Sequence, residues 1–303
     1  MRTTTRLKAL LAAPEILVMP GVHDALGCRI AQAAGFEAVT AGGYGATATL
    51  LGRPDSSQLS LTELSAMYGR MCEATSLPVF ADADTGFGNV TNVARTVALY
   101  EKAGVAGLFI EDQVFPKLCG HMAGKAVVST VEWIAKIKAA LDARRDADFV
   151  IMARTDALAV HGLDEAIERA QIAREAGADL LFIEAPTSRE QMQRICRSVA
   201  GPCLANNIET GLSPLLPASE LQQIGYAAVV FPVAATYAVA RALSDLFATI
   251  RRTGSTAEAL PRLATFDEFN ELVGLSAQRR REAELNDFAD ALVARHTSSR
   301  HSR

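Results

Sequence analysis

Short apolar runs alternate with helical patterns along most of this chain. Eight of these runs span four to six residues and are almost free of polar residues in their interiors. Such runs are typical of strands that are buried on both faces, as in a parallel sheet. The predicted strands are Glu15–Pro20, Ala38–Ala41, Pro78–Asp82, Gly107–Glu111, Phe149–Arg154, Leu180–Glu184, Cys203–Asn206 and Ala227–Phe231.

Between most of these runs, apolar residues recur at helical spacing. Val93, Val97 and Tyr100 share one face of the segment Asn92–Ala103, which ends at Gly104. A glycine just past the last periodic residue is a usual helix stop. The other predicted helices are Ala25–Ala34, Leu61–Thr75, Ser129–Ala143, Leu163–Ala176, Ser188–Val199 and Thr236–Thr253.

The alternation predicts right-handed strand–helix–strand units around a parallel sheet. Residues 101–111 and 174–184 share one sequence pattern, in which a helix end and a glycine turn are followed by a buried strand and a glutamate. Eight such units favour an α/β fold of the (β/α)8 TIM barrel type, with a doubly wound sheet as the alternative.

Three segments are expected along the chain. Residues 1–253 would form the barrel and catalytic domain, 254–296 a helical C-terminal extension, and 297–303 a disordered tail. The extension has an apolar face around Phe266 and Phe269 that is too apolar to be solvated alone. It would pack on a neighbouring subunit or cap the base of the barrel.

Polar residues stand where five of the predicted strands end. They are Asp82, Asp84, Glu111, Asp112, Arg154, Asp156, Glu184 and Asn206. In a barrel these ends meet at one rim, where active sites form. Any one of these residues could simply cap the following helix, but that explanation is poor for all five positions together.

Asp82 and Asp84 are spaced i, i+2 at the end of the third strand, so they face the same side. Two neighbouring carboxylates repel each other, and a bound divalent cation would remove that conflict. Ligands that offer only oxygen suit Mg²⁺ or Mn²⁺ rather than zinc.

The loop after the fourth strand, residues 111–125, is long and carries Lys117, Cys119 and His121 together. Long loops in this position are often lids. Neighbouring cations lower a thiol pKa, so Cys119 is expected to be nucleophilic or active in proton transfer. The other four cysteines fall on apolar positions and are interpreted as small core residues.

Composition excludes several classes of protein. The 303 residues carry a net charge of −4, which gives no basic surface for nucleic acid. No apolar run approaches the roughly 18 residues of a membrane span, and the N-terminus does not have the pattern of a signal peptide. Five cysteines without a paired motif indicate a reducing cytoplasmic setting.

Taken together, the motifs resemble those of the isocitrate lyase/phosphoenolpyruvate mutase superfamily, from about Val18 to Asn286. They are Asp82-x-Asp84-Thr-Gly-Phe-Gly, Ile110-Glu-Asp-Gln113, Lys117-x-Cys119-Gly-His121, Ala153-Arg-Thr-Asp-Ala157, Glu184-Ala-Pro186 and Ala205-Asn-Asn-Ile-Glu209. The resemblance implies a barrel whose final helix is swapped onto a partner subunit, in a homotetramer built as a dimer of dimers.

The resemblance also implies roles for individual residues. Metal binding, partly through water, would fall to Asp82, Asp84, Glu111 and Asp55. Substrate binding would fall to Gly42, Gly43, Tyr44, Gly120, Asn206 and Glu209. Catalysis would involve Lys117, Cys119, His121, Arg154 and Glu184.

The implied activity is Mg²⁺-dependent cleavage of a carbon–carbon bond in a 2-hydroxy di- or tricarboxylate, of the 2-methylisocitrate or 2,3-dimethylmalate (2-alkylmalate) type. Cys119 would be its general acid/base. Two residues depart from the usual pattern, Leu118 in place of a second basic residue and Phe109 in place of a histidine common in methylisocitrate lyases. The alternatives are an oxaloacetate hydrolase, a phosphonate C–P bond enzyme on the same scaffold, or a non-catalytic barrel that binds carboxylates.

Overall fold

Buried strands and amphipathic helices alternate in this computed structural model, which describes residues 1–121 and 124–301, without the side chains of 297–301. All eight predicted strands are present, with ends shifted by two residues at most. Their bounds are β1 Leu17–Pro20, β2 Val39–Ala41, β3 Val79–Asp82, β4 Gly107–Glu111, β5 Val150–Thr155, β6 Leu180–Ile183, β7 Leu204–Asn206 and β8 Ala228–Phe231.

The predicted helices between the strands are present too, and the structure adds several short ones. The helices are α1 Thr3–Leu11, α2 Ala25–Ala33, α3 Gly43–Leu51, α4 Leu61–Ala74, α5 Val90–Ala103, α6 Thr130–Ala143, α7 Ala157–His161, α8 Leu163–Glu175, α9 Arg189–Ser198, α10 Ala218–Ile224, α11 Ala234–Thr253, α12 Phe266–Leu272 and α13 Leu275–His301. A 3-10 helix spans Ala257–Arg262.

Local signals explain where the helices begin and end. The Asn89 side chain accepts from the backbone N–H groups of Thr91 and Asn92 at the start of α5. At its other end, Gly104 adopts a left-handed conformation with φ of 88°, which a residue with a side chain rarely takes. The first turn of α3 contains Gly43 and Gly45, which hide the helical pattern in the sequence.

The strands form two parallel sheets, one in the order β1-β8-β7 and one running from β2 to β6 in chain order. Single parallel bridges connect the sheets where they meet, between Gly21 and Thr40 and between Leu181 and Cys203. Every strand is thus adjacent to its neighbour in the chain, and the α/β arrangement is TIM-barrel-like.

Alternate residues of each strand pack into two different hydrophobic clusters. In β3, Phe80 joins one cluster with Leu7 of α1, while Val79 and Ala81 join the other cluster with the surrounding helices. Because both faces of the strands are buried, the strand sequences lack polar alternation, which is why they read as continuous apolar runs.

By its internal contacts the chain divides into two compact units, residues 1–241 and 242–303, rather than at 253 and 254. The second unit contains α12 and α13. The backbone of α13 is helical through His301, so residues 297–301 of the expected disordered tail belong to a helix, while 302 and 303 lie outside the described residues. Among the described residues, no helix combines the length and hydropathy that crossing a membrane requires.

Candidate active site

The aspartate pair at the end of β3 is neutralised by a lysine from the long loop. Lys117 Nζ lies 3.0 Å from Asp84 Oδ1 and 2.8 Å from Asp55 Oδ2. The two oxygens of Asp82 accept from the backbone N–H groups of Gly43 and Asp84, each at 2.8 Å. The electrostatic conflict seen in the sequence is therefore met by an ammonium group and by backbone donors.

A side chain at Gly43 would crowd this arrangement. A Cβ there would stand 3.2 Å from Asp82 Oδ2 and 3.6 Å from Lys117 Nζ, in the space where the backbone donates to the carboxylate. Its neighbour Gly42 caps α3, and the hydroxyl of Tyr44 lies 3.5 Å from that of Tyr237. The predicted glycines therefore lie beside the aspartates, and Tyr237 is an addition that the sequence did not indicate.

Glu111 is buried without a hydrogen bond to either carboxylate oxygen within the described residues. Arg154 Nε is 3.3 Å from its Oε2, but the two groups are not aligned as a hydrogen bond. Burial raises the pKa of Glu111 well above its usual range, against the opposing charges of Arg154 and Lys117. A buried carboxylate that lacks donors is a suitable ligand for a hard cation.

The four predicted metal ligands are not grouped around one point. Among the described side chains, those of residues 1–121 and 124–296, no three His, Cys, Asp or Glu groups lie close enough to bind one metal ion together. Asp55 is paired with Lys117 instead. Mg²⁺ commonly keeps several waters and binds through only one or two carboxylates, so the oxygen donors at Asp82, Asp84 and Glu111 fit that ion.

Arg154, at the end of β5, is held by three carboxylates. Its Nε lies 3.0 Å from Asp156 Oδ2 and 3.3 Å from Glu111 Oε2, and its Nη2 lies 3.1 Å from Glu184 Oε2. These anions raise the arginine pKa further, although burial opposes them. The guanidinium is thus a fixed positive charge, and its planar fork is suited to binding carboxylates.

Glu184, at the end of β6, lies beside two other predicted catalytic residues, Arg154 and His121. Burial would raise its pKa, but Arg154 and His121 lower it to about 2. Asn206 Nδ2 donates to both carboxylate oxygens at 3.3 Å, and His121 Nε2 lies 3.2 Å away. His121 Nδ1 accepts from the backbone N–H of Leu212 at 2.8 Å, which assigns the ring proton to Nε2, facing Glu184.

Burial raises the pKa of Cys119 above its ordinary value. The prediction that neighbouring cations would leave this pKa lowered overall is therefore wrong. Lys117 and Arg154 do lower the thiol pKa, but less than burial raises it, and the charge of Glu184 raises it further. Lys117 is itself paired with carboxylates, and the His121 side chain faces Glu184. Cys119 is therefore a protonated thiol at neutral pH, which suits a proton donor rather than a nucleophile.

The backbone on the N-terminal side of Cys119 is anchored by two side chains. Ser57 Oγ accepts from the N–H of Lys117 at 3.0 Å. Gln113 binds both backbone groups of Leu118, accepting from its N–H at 3.0 Å and donating to its carbonyl at 2.9 Å. The anchors on Leu118 use only its backbone, so the loss of the usual basic side chain there leaves them intact.

Most predicted residues line one cavity above the strand ends. The predicted residues on its wall are Gly42, Gly43, Tyr44, Asp55, Asp82, Lys117, Cys119, Gly120, Arg154, Glu184 and Asn206. The predicted residues that do not line it are Asp84, Glu111, His121 and Glu209. Glu209 is half-buried, and one of its oxygens has no hydrogen-bond partner within the described residues.

The floor of the cavity is apolar, and of its residues the sequence singled out only Phe109. Five floor residues each stand two positions before a polar residue at a strand end. They are Phe80, Phe109, Met152, Phe182 and Leu204. Period-two spacing was the available signal, since it places each of them one layer below the polar residue on the same face. The Arg154 guanidinium carbon lies 5.9 and 5.4 Å from the ring centres of Phe109 and Phe182.

Comparison with protein families and curated proteins gives consistent matches over almost the whole chain. The model of a family described as phosphoenolpyruvate phosphomutase matches residues 7–251. The chain is 46% identical over 286 residues to 2,3-dimethylmalate lyase of Eubacterium barkeri, covering 94% of this chain and 98% of that protein. It is 41% identical over 294 residues to 2-methylisocitrate lyase of Aeropyrum pernix, covering 97% and 94%.

Solved structures show the same fold. A crystal structure of 2,3-dimethylmalate lyase matches with a TM-score of 0.89 and 36% identity, covering 94% of this chain and 96% of that one. Oxaloacetate acetylhydrolase with the inhibitor 3,3-difluorooxalacetate matches at 0.89 and 34%, covering 94% and 97%. Phosphonopyruvate hydrolase in complex with oxalate and Mg²⁺ matches at 0.85 and 32%, covering 93% and 99%.

Proposed function

The chain belongs to the phosphoenolpyruvate mutase/isocitrate lyase superfamily and is a lyase, and we propose that it cleaves a carbon–carbon bond in a 2-hydroxy dicarboxylate or tricarboxylate. Its substrate would be of the 2,3-dimethylmalate (2-alkylmalate) or 2-methylisocitrate type, and its products an α-keto acid and a second carboxylate. The observation that carries the proposal is that Cys119, whose thiol pKa is raised by burial, shares one cavity wall with the Arg154 guanidinium.

Mg²⁺ or Mn²⁺ would be bound by Asp82, Asp84 and Glu111, partly through water molecules, with Asp55 close by. When bound, the ion would act as a Lewis acid toward the hydroxyl and carboxylate oxygens of the substrate. The unpartnered oxygens of Glu111 support this assignment.

The residues of the chain account for the charge that develops during cleavage. After the 2-hydroxyl passes its proton to a carboxylate of the cavity wall, the C2–C3 bond breaks and its electron pair passes into the carboxylate of the departing fragment. Arg154 would stabilise that negative charge. Arg154 and the Nε2 proton of His121 both face the carboxylate of Glu184. Cys119 would then donate its proton to C3 as the general acid.

Binding of the substrate would use the backbone at the start of α3 and the amide of Asn206. Gly42 and Gly43 bring that backbone to the cavity wall without side chains in the way, and Tyr44, Gly120 and Glu209 would complete the site. The apolar floor under Arg154 would exclude water from the fragment that carries the charge.

A second candidate function is the hydrolysis of oxaloacetate. The matching structure of an oxaloacetate acetylhydrolase, with a TM-score equal to that of the lyase, supports it. A phosphonate C–P bond enzyme is a weaker candidate, because the sequence carries the cysteine motif that the phosphonate branches lack.

We also propose that the eight strands close into a complete (β/α)8 barrel and that the last barrel helix is swapped between subunits of a homotetramer in the cytoplasm. Large apolar side chains left exposed near the C-terminus of the chain support the swap. They include Tyr237, Val239, Leu243, Phe247, Phe266, Phe269 and Phe288.

Substitution of Cys119 by serine tests the proposed chemistry. A serine hydroxyl is a far weaker acid, so the variant is expected to lose cleavage by on the order of 10² or more. Release of the α-keto acid would be followed with Mg²⁺ and each candidate substrate, and Cys72→Ser would control for loss of a thiol outside the cavity. If Cys119→Ser turns over at close to the wild-type rate, the role of Cys119 is refuted.

A further inference from the structure

Lys125 is a buried lysine that the proposed mechanism does not use. Its side chain is only 3% exposed, although it lies on the long loop after β4. Nζ lies 3.0 Å from Asp156 Oδ1 and donates to the backbone carbonyl of Gly120. An ammonium is costly to bury, and the two partners of Lys125 offset that cost.

The anion that holds Lys125 is the one that also holds Arg154. Asp156 is fully buried, and its carboxylate accepts from Arg154 Nε at 3.0 Å. Its own backbone N–H donates to Asp112 Oδ1 at 2.8 Å, and Asp112 is in turn paired with Arg169 at 3.0 Å. The carboxylate of Asp156 is therefore held in place and binds both the Lys125 ammonium and the Arg154 guanidinium.

Gly120, the other partner of Lys125, has no room to move toward the site. A Cβ at Gly120 would stand 2.5 Å from Glu184 Cγ and 2.6 Å from Arg154 Nη2. The backbone directly after Cys119 is thus pressed against the charged cluster, and its carbonyl is turned away toward Lys125. Ser57 and Gln113 anchor the other side of Cys119, so Lys125 supplies the anchor on the C-terminal side.

We propose that Lys125 is a positioning residue that ties the Cys119 loop to Asp156, so that one carboxylate sets the distance between the proton donor and Arg154. Lys125 is not in the cavity wall, so it acts through Gly120 and Asp156 and not on the substrate itself. This inference rests on the proposed lyase function, but the position of the thiol can be measured without any substrate.

The test compares Lys125→Met with Lys136→Met. Lys136 is a matched control, because it is also a largely buried lysine with a carboxylate partner, Glu132 at 3.3 Å, on a helix outside the cavity wall. Lys125→Met is expected to lower kcat by about 100-fold through misplacement of the thiol, with a small change in KM. The rate at which iodoacetamide alkylates Cys119, read by peptide mass spectrometry, is expected to rise severalfold as the loop loosens.

Lys125→Arg keeps a cation that can reach both partners and is expected to restore part of kcat and to slow alkylation again. The proposal is overturned if Lys125→Met keeps wild-type kcat and alkylation, or if Lys136→Met changes both to the same degree. If the wild-type protein cleaves none of the candidate substrates, the proposed function fails, and the alkylation rates still decide whether Lys125 fixes the loop.

Discussion

Burial and ion pairing, more than the residue types in the motif, set the chemistry of the individual side chains. Cys119 stands near two cations, yet its thiol pKa is raised, because burial dominates the smaller opposing effects of Lys117 and Arg154. Each of those cations is paired with carboxylates at 3.3 Å or less. The site thus contains a neutral thiol that can act as an acid, beside cations whose charges are paired with carboxylates.

The raised pKa of Cys119 predicts how its reactivity depends on pH. A thiol whose pKa is raised in the folded state stays protonated at neutral pH. It forms thiolate only when the pH rises above the ordinary pKa of a cysteine. Alkylation of Cys119 by iodoacetamide is therefore expected to increase without levelling off through pH about 9. A plateau below pH about 8 would mean a lowered pKa and would contradict this assignment.

At the residue scale, the sequence could name the groups but not their partners. The motif residues were identified from their positions at strand ends and in the long loop, and eleven of the fifteen line one cavity. The pairing of Lys117 with Asp55 joins residues far apart in the chain, and the path of the loop decides it. Nothing in the local pattern specifies such a contact.

At the scale of elements, the strands were the most predictable part, because burial on both faces leaves an unbroken apolar run. The helices α1, α3, α7 and α10 were missed; α3 begins with glycines, and α7 and α10 are only five and seven residues long. The apolar floor follows from the same strand periodicity that places the polar residues at the rim.

Two glycines in different elements test how tightly the elements pack. A Cβ at Gly107 in β4 would stand 2.7 Å from the Cβ of Val150 in β5, whereas one at Gly69 in α4 would stand 3.8 Å from the Cβ of Ala103. Gly107→Ala is expected to lower the free energy of unfolding by about 1–3 kcal/mol. Gly69→Ala is expected to raise it by about 0.5–1 kcal/mol.

Urea unfolding of both glycine variants and the wild type provides the measurement. Equal stability of Gly107→Ala and the wild type would show that β4 and β5 are less closely packed than the structure indicates.

At the scale of the whole molecule, the sequence anticipated a barrel-like unit and a helical C-terminal part, with their boundary between residues 253 and 254, where α11 ends. The structure divides the chain at residue 241, within α11. The apolar face of α12 around Phe266 and Phe269 was visible in the sequence, but which chain covers it could not be read from one sequence.

The exposed apolar surface predicts an assembly of several chains. Light scattering of the purified protein is expected to give four times the chain mass of 32.2 kDa. Replacement of Phe247 and Phe266, which are 59% and 83% exposed, by aspartate is expected to produce smaller species. A wild-type monomer at micromolar concentration would contradict the proposed tetramer.

The central claim is tested most directly by supplying 2,3-dimethylmalate and 2-methylisocitrate with Mg²⁺ and measuring the pyruvate released. The proposed lyase activity would release pyruvate in an amount equal to that of the second carboxylate, propionate or succinate. Turnover is expected to stop after a chelator removes the metal. Release of oxalate and acetate from oxaloacetate, with no pyruvate from either hydroxy acid, would contradict it.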